Sequence, residues 1–211
     1  MYPRIGNNLT AQTKTRYNRI APFYDRMEII AERTFSHWRR RLLAHAKGKV
    51  LEVGVGTEKN LPYYPEGVEV TGLDIADKML RQARLCVDKL GFPVHLIEGD
   101  VQFLPFPENS FDTLVATFVF CSVPNPVLGL KELGRVVRSG GEILLLEHVR
   151  IDKPVIGFIM DIINPFFLHF IGPNINRRTV ENVRKAGLRI EKIEHLGFMQ
   201  MVKMIIAHPG K

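Results

Sequence analysis

A glycine-rich turn and an acidic residue twenty positions later are the features of this sequence that point to chemistry. Residues 51–58 (LEVGVGTE) read as a buried strand that ends in a tight turn, where Gly54 and Gly56 carry no Cβ to keep the backbone away from a ligand. Asp74 follows at the end of the next predicted strand, where a carboxylate accepts hydrogen bonds from ribose hydroxyls. Together these residues predict a site for a nucleoside.

The same turn lacks the patterns that bind a diphosphate. A dinucleotide fingerprint requires a third glycine where Lys59 stands, and the P-loop pattern is absent. The sequence therefore argues against NAD and ATP, and against a dehydrogenase. It favours a nucleoside ligand that carries no diphosphate.

These residues belong to an ordered set that resembles the class I S-adenosylmethionine-dependent methyltransferases. The resemblance covers residues 49–149. Its motifs are Glu52-x-Gly54-x-Gly56, Asp74, Gly99-Asp100-Val101, the run PFPENSFD at residues 105–112 and the turn RSGG at residues 138–141. One departure is Glu58, which stands where the family usually has a third glycine. We expect the loop after the turn to pack differently there, with cofactor binding retained through Gly54 and Gly56.

The resemblance implies S-adenosylmethionine as the cofactor and assigns a role to each matching residue. Glu52 and Gly54 would flank the methionine part, with Gly56 in the same turn. Asp74 would hold the ribose hydroxyls.

The adenine half of the cofactor would lie against residues later in the chain. Ile75 would cover the adenine, Asp100 would bind its amino group, and Val101 would lie beside the ring. Thr117, at the end of the fourth predicted strand, would stand near the reactive methyl group.

Shorter stretches narrow the resemblance to subgroups of the family. Residues 16–25 are similar to the N-terminal lid of quinone C-methyltransferases and of soluble bacterial phosphatidylethanolamine N-methyltransferases, in which the first tyrosine, here Tyr17, lies over the cofactor. Residues 118–126, 146–149 and 174–179 are similar to membrane-associated alkyl-thiol methyltransferases of animals. All three groups methylate apolar or lipid-like acceptors, so the resemblance implies an acceptor of that kind.

A methyltransferase site has to align an acceptor with the methyl group and exclude water, because the sulfonium is already an activated donor. His148, at the mouth of the fifth predicted strand, has a pKa range that suits a general base. Tyr17 and Asp161 are the alternatives. We favour a phospholipid amine as acceptor over a thiol or a quinol carbon. The competing class is a non-catalytic protein that binds the cofactor or nucleic acid.

The elements that position these residues alternate between strands and helices, which predicts a parallel sheet covered on both faces. We expect an α/β fold: a doubly wound, mostly parallel seven-stranded sheet with an antiparallel last strand, Rossmann-like. N-terminal lid helices would occupy residues 1–47, and the cofactor-binding domain residues 48–211, with a substrate-side insertion at 150–175. The predicted strands are residues 49–53, 68–74, 94–98, 112–117, 142–149, 188–195 and 199–207. The predicted helices are two within residues 8–46, divided at Pro22, then 76–90, 125–137 and 176–186.

The basic charge of the chain lies almost entirely at its beginning. The 211 residues carry a net charge of +7, and residues 1–47 hold ten of the 29 Lys and Arg but three of the 22 Asp and Glu. An anionic lipid surface or a nucleic acid attracts such a segment. With the apolar stretch at residues 154–172, this favours reversible contact with an anionic membrane, and no nucleic-acid partner is expected.

The remaining signals concern location and metals. Cys86 and Cys121 form no disulfide framework and no cysteine-based zinc site, which indicates a reducing compartment. We see no signal peptide and no transmembrane run, and expect no metal centre. The predicted location is cytoplasmic, peripheral on the inner face of the membrane.

Overall fold

A computed structural model describes residues 4–90, 93–170 and 173–210 of the chain. The predicted lid, insertion and C-terminal boundary include residues 1–3, 171–172 and 211, which lie outside the described residues. The helices are α1 (Arg4–Ile20), α2 (Tyr24–Leu43), α3 (Asp77–Leu90), α4 (Pro126–Val136), α5 (Pro154–Phe170) and α6 (Thr179–Lys185). The strands are β1 (Lys49–Val53), β2 (Glu69–Asp74), β3 (Val94–Glu98), β4 (Phe111–Thr117), β5 (Val137–His148), β6 (Arg189–Leu196) and β7 (Val202–His208).

The seven strands form one sheet in the order β3-β2-β1-β4-β5-β7-β6. Strands β1 to β5 pair in parallel, and β7 pairs antiparallel with both β5 and β6. The predicted fold class is confirmed. The strand order reverses between β1 and β4, and open α/β sheets bind ligands outside the carboxyl ends of their strands at such a switch point.

The core lies on both faces of the sheet, which is why its central strands read as unbroken apolar runs. Successive residues of β5 alternate between the two faces: Leu144 and Leu146 pack in the cluster that includes Leu42 of α2, whereas Leu145 packs in the cluster that includes Leu130 of α4. All of these side chains are fully buried. The prediction of two N-terminal helices divided at Pro22 is confirmed, since a short 3₁₀ turn at Ala21–Phe23 separates α1 from α2.

The start of β5 was predicted wrongly. We expected the strand from residue 142, after a glycine turn, but it begins at Val137. Gly140 has φ +83°, and a Cβ on Gly141 would come within 2.7 Å of the backbone oxygen of Asp112. The pairing with β4 shifts register at this point. The glycines therefore form a bulge through which the strand continues.

Other boundaries also differ from expectation. Helix α1 begins at Arg4 instead of residue 8, and α2 ends at Leu43 instead of residue 46. Helix α6 begins at Thr179 instead of residue 176, because the side chains of Asn174 and Arg177 donate hydrogen bonds to the carbonyl oxygen of Cys121 and hold that segment away from the helix. Strand β7 begins at Val202 instead of residue 199, because Met199 has φ +53°, outside the range of a strand.

In the insertion at residues 150–175, the described residues form one helix, α5, with an apolar surface turned to solvent. Gly157, Met160 and Asn164 face the protein and are buried. The opposite face exposes large apolar side chains at helical spacing, namely Val155, Phe158, Ile159, Ile162 and Phe166. Within the described ranges, no helix combines the length and the apolarity needed to cross a membrane.

Candidate functional site

A cavity lies at the carboxyl ends of β1, β2 and β4. Its walls come from the turn after β1, the end of β2 and the end of β4, and Tyr17 of α1 and Tyr24 at the start of α2 complete it. This is the switch point of the sheet, where open α/β folds bind small molecules.

The glycine turn after β1 brings bare backbone to the cavity. Gly54 and Gly56 have φ +66° and +58°, values that favour glycine. A Cβ on Gly54 would come within 2.5 Å of the Val119 side chain, whereas a Cβ on Gly56 would meet nothing within 4 Å. Gly54 is therefore required for packing, and Gly56 leaves space in which a ligand can approach the main chain.

Asp74 connects the end of β2 to this turn and lines the cavity. Its carboxylate accepts hydrogen bonds from the backbone amides of Gly56 (2.9 Å) and Ala76 (2.8 Å), one at each oxygen. Burial raises the pKa of Asp74, and the backbone bonds oppose that shift. Because each carboxylate oxygen can accept a second hydrogen bond, the group can still receive the two hydroxyls of a ribose. The residues present thus fit the predicted cofactor.

The predicted adenine side of the site is also assembled. Ile75, Asp100 and Val101 line the same cavity. Asp100 has a further connection, because its carboxylate accepts hydrogen bonds from the Thr10 hydroxyl of α1 (3.1 Å) and from the backbone amide of Gln102 (2.9 Å). The carboxylate predicted to bind the adenine therefore also contacts the lid helix.

Helix α1 lies across the cavity and is attached on both sides of it. The Tyr17 hydroxyl is 2.6 Å from the Ser122 hydroxyl, and Asn18 donates to Asp77 at 2.7 Å. Tyr17 lines the cavity, and burial raises its pKa well above the usual range of a phenol, so it is neutral at physiological pH. These contacts are compatible with the predicted lid, and the lid role stays a prediction.

Thr117 and Glu52 belong to a buried polar network behind the cavity. The Thr117 hydroxyl lines the cavity and accepts hydrogen bonds from Arg39 and Asn60, both at 3.0 Å. Glu52 does not line the cavity: its two oxygens accept hydrogen bonds from Asn60 and from the Tyr64 hydroxyl, both at 2.6 Å. Burial raises the pKa of Glu52 to about 7. Its predicted contact with the methionine moiety stays a prediction.

Glu58 shows what the departure from the third glycine entails. Its backbone adopts φ +65°, a conformation that costs a residue with a Cβ roughly 1–2 kcal/mol. The side chain is completely buried, and neither carboxylate oxygen has a hydrogen-bond partner within the described part of the chain. Burial raises the pKa of Glu58 to about 9, with a further contribution from the negative charge of Glu52. The group is therefore protonated at neutral pH.

Of the three predicted catalytic residues, only Tyr17 lines the cavity. His148 lies one aromatic ring away, with its imidazole 4.5 Å from the ring centre of Phe118, which does line the cavity. Asp161 lies on the exposed side of α5, where Arg150 (2.9 Å) and Asn176 (3.1 Å) donate hydrogen bonds to its carboxylate. The structure thus does not bring Asp161 to the site.

Three residues of this region were not singled out from the sequence. Ser122 lies within the stretch 118–126 that carried a subgroup resemblance, and this was an available signal. Arg39 is 5% exposed although it lies in a helix with an apolar stripe, so a charge on that stripe was a second signal. Thr10 is one of several polar residues on α1, and nothing in its sequence context distinguished it.

Comparisons with known proteins agree with this geometry. A family model described as a methyltransferase domain matches residues 51–145. The chain is 45% identical over 120 residues to a phosphatidylethanolamine N-methyltransferase of Cereibacter sphaeroides, covering 54% of this chain and 59% of that protein. It is 31% identical over 164 residues to a demethylmenaquinone methyltransferase of Thermus thermophilus, covering 74% of each. The match thus spans about three fifths of the first of these relatives and three quarters of the second.

Among solved structures, the [4+2]-cyclase SpnF superposes with a TM-score of 0.75. The superposition covers 94% of this chain and 96% of the cyclase, at 16% sequence identity. The likeness therefore supports the fold that was described from the strand order.

Proposed function

Since the chain belongs to the class I S-adenosylmethionine-dependent methyltransferases, we propose that it transfers the methyl group of this cofactor to the amine of a phospholipid such as phosphatidylethanolamine. The observation that carries the proposal is the exposed apolar face of α5. Phe158 is 63% exposed and Ile162 61%. The last turn of this helix reaches a groove, lined in part by Leu168, which shares Thr13 and Ser122 with the cofactor cavity. An acceptor with long apolar chains suits such an entrance.

The chain's own residues bind the cofactor and exclude water. S-adenosylmethionine supplies an electrophilic methyl group on its sulfonium. Asp74 and the backbone at Gly56 would hold it on one side, with Ile75 and Val101 on the other. Tyr17 covers the cavity, which keeps water out and strengthens the polar contacts inside.

An ammonium group has to lose a proton before its nitrogen can attack a methyl group. Transfer into a site that is shielded from water favours the neutral amine. The hydroxyls of Tyr17 and Thr117 both line the cavity, and Tyr17 is held neutral by burial. The Tyr17 oxygen can accept a hydrogen bond from the amine and orient its lone pair, so we assign Tyr17 a positioning role in the reaction. Thr117 would stand near the methyl group, because both acceptor positions of its hydroxyl are occupied by Arg39 and Asn60.

His148, one aromatic ring from the cavity, keeps its predicted role as the base that takes this proton. Asp161 has no part in this proposal, because it lies away from the cavity and pairs with Arg150.

The competing acceptors are a thiol and a quinol carbon, and the competing class is a non-catalytic binding protein. The higher identity to a relative named for phosphatidylethanolamine, 45% against 31% for one named for demethylmenaquinone, supports the amine. The α5 face alone would suit all three apolar acceptors.

The deciding experiment offers S-adenosylmethionine with a labelled methyl group together with phosphatidylethanolamine, an alkyl thiol or demethylmenaquinol. We expect the label in N-methylated phosphatidylethanolamine, identified by mass spectrometry. Label in the thiol or the quinol would replace the amine as acceptor. Cofactor binding by calorimetry without transfer to any of the three would support the non-catalytic class.

We also propose that the protein binds anionic membranes reversibly. Leu168 at the end of α5 and Arg16 of α1 line the same groove, so apolar and cationic side chains lie next to each other there. The exposed apolar face of α5 adds further apolar surface. Each basic residue near an anionic surface contributes about 1 kcal/mol, which gives binding that salt weakens.

Vesicle sedimentation tests this membrane contact. We expect the protein to sediment with anionic vesicles at low salt and to be released by Phe158→Ser. Leu85→Ser, which replaces a side chain of similar exposure on α3, is the matched control and should leave sedimentation unchanged. A wild-type protein that stays in the supernatant at low salt would show that the membrane proposal is wrong.

A further inference from the structure

A second groove, of about 270 Å³, adjoins the cofactor cavity between α1 and the end of α5. Leu9, Gln12 and Arg16 of α1 form one wall, and Leu168 of α5 and Arg177 form the other. The groove and the cavity have wall residues in common, namely Thr13, Ser122 and Pro124. A molecule in the groove can therefore extend one of its ends towards the cavity.

The walls of the groove combine two positive charges with apolar surface. Arg16 and Arg177 are its charged residues, and no acidic side chain is among the described residues that line it. Leu9 is 47% exposed and lies on the same wall as Arg16. A ligand that fits these walls has an anionic group next to an apolar part.

Arg177 is fixed in position without losing its charge. Its guanidinium donates hydrogen bonds to the carbonyl oxygens of Val123 (2.7 Å) and Cys121 (3.3 Å), which are neutral acceptors. Among the described side chains, no carboxylate oxygen lies within 4 Å of Arg177, and the buried Glu147 acts on its charge from a longer distance. An arginine that is positioned by carbonyl oxygens in this way presents its remaining N–H donors to an anion at little entropic cost.

We propose that this groove binds the phosphodiester of a glycerophospholipid, with Arg16 and Arg177 as its cationic contacts and Leu9 and Leu168 against the acyl chains. The inference rests on the proposed function, because the amine of the same lipid would be the methyl acceptor. In an ethanolamine headgroup two carbons join the phosphate to the amine. A phosphate held between the two arginines therefore keeps the amine beside the walls that the groove shares with the cavity.

The test measures binding to the full chain saturated with S-adenosylhomocysteine, so that it does not depend on turnover. The probes are dihexanoylphosphatidylethanolamine below its micelle concentration, and glycerophosphoethanolamine, which has the same phosphodiester without acyl chains. We expect Arg16→Gln to weaken binding of both probes about tenfold, the effect of losing a charge-assisted hydrogen bond. Arg19→Gln is the matched control, since Arg19 lies exposed on the same helix and does not line the groove.

The two probes separate a lipid from a free phosphate ester as the ligand. Tighter binding of the dihexanoyl lipid than of glycerophosphoethanolamine supports the acyl contacts, and equal binding overturns them. Equal effects of the Arg16 and Arg19 substitutions, or wild-type protein that binds neither probe, would show that the groove does not bind the phosphodiester.

Methylation assays separate this proposal from the proposed function. If the wild type methylates phosphatidylethanolamine and Arg16→Gln has an unchanged KM, the groove does not bind the lipid while the proposed function stands. Binding that depends on Arg16, without methylation of the lipid, would support the groove as a lipid-binding site and refute the proposed methyl transfer to the lipid.

Discussion

The central sheet and the lid helix α1 are held in place by different kinds of interaction. In the sheet, Leu144 and Leu145 of β5 are completely buried on opposite faces. In α1, none of the side chains described at residues 8–20 is fully buried. Polar contacts of α1 join Thr10 to Asp100, Tyr17 to Ser122, Asn18 to Asp77 and Lys14 to Glu98. Its apolar contacts are few, since of its described side chains only the partly buried Tyr17 and Ile20 pack against the small cluster that contains Ala76 and Met79.

This difference separates the part of the molecule that forms the cofactor site from the part that controls access to it. A hydrogen bond between groups that water can reach contributes about 1 kcal/mol net, because water replaces the lost partner. Helix α1 can therefore leave the cavity at modest cost, whereas separating the buried strands would unfold the domain. The four experiments below test this division between the sheet, which forms the site, and α1, which controls access to it.

Deletion of residues 1–20 should have the largest effect. Without the lid, Tyr17 no longer covers the cavity, and we expect methyl transfer to fall by at least about 100-fold because water enters and the reactants lose their alignment. The sheet should still fold, as circular dichroism and a cooperative thermal transition would show. Full activity of the shortened protein would mean that α1 is not a lid.

Substitution of Asp74 tests the sheet side of the site. Asp74→Ala removes a buried carboxylate that lines the cavity, and we expect S-adenosylmethionine to bind about 2 kcal/mol more weakly, or about 30-fold. Asp88→Ala, at an exposed position of α3, is the control and should bind normally. Unchanged affinity of Asp74→Ala in calorimetry would remove this residue from the site.

Glu58 makes the stability of the domain that contains the central sheet depend on pH. Its folded pKa of about 9 lies above the ordinary value of 4.5, so the folded state holds a proton that the unfolded chain releases. Its stabilising contribution is complete below about pH 4.5 and is lost as pH rises to about 9. Relative to Glu58→Gln, the wild type should lose up to about 1.4 kcal/mol per pH unit within this window. Denaturant unfolding at pH 5, 7 and 8.5 measures the difference, and parallel curves for the two proteins would show that Glu58 is ionised in the fold.

The contact between Tyr17 and Ser122 should have the smallest effect. Tyr17→Phe and Ser122→Ala each remove one partner of the 2.6 Å hydrogen bond. We expect a coupling free energy of about 1 kcal/mol for cofactor binding in a double-mutant cycle. Overall stability should change little, because the lid does not hold the core. Additive effects of the two substitutions would show that the contact does not stabilise the closed lid.

The sheet was predictable from the sequence because strands that are buried on both faces appear as short, continuous apolar runs. Each central strand is a short apolar run that ends at glycine or a polar residue, and the sites of Gly54 and Asp74 follow from those ends. The first residue of a strand was not predictable where it depends on pairing with a neighbouring strand. The strand at Val137 continues through a glycine bulge only because β4 lies beside it.

The contacts of the site were less predictable, because they join residues far apart in the chain. Neighbouring residues of a strand point to opposite faces, and the sequence does not say which of Glu147 and His148 points where. In the structure, Glu147 accepts hydrogen bonds from the amides of Val119 (2.9 Å) and Phe120 (3.0 Å), and His148 lies against Phe118. The approach of α1 to Ser122 spans 105 positions, and no local pattern encodes it.

Amide hydrogen exchange with and without S-adenosylmethionine tests the division between sheet and lid most directly. Without cofactor, we expect the amides of α1 to exchange far faster than those at the centre of β5, because polar contacts to accessible groups open more readily than buried strands. Saturating cofactor should slow exchange in α1 and leave the centre of β5 unchanged. Exchange in α1 as slow as in β5 before the cofactor is added, and unaffected by it, would contradict the account.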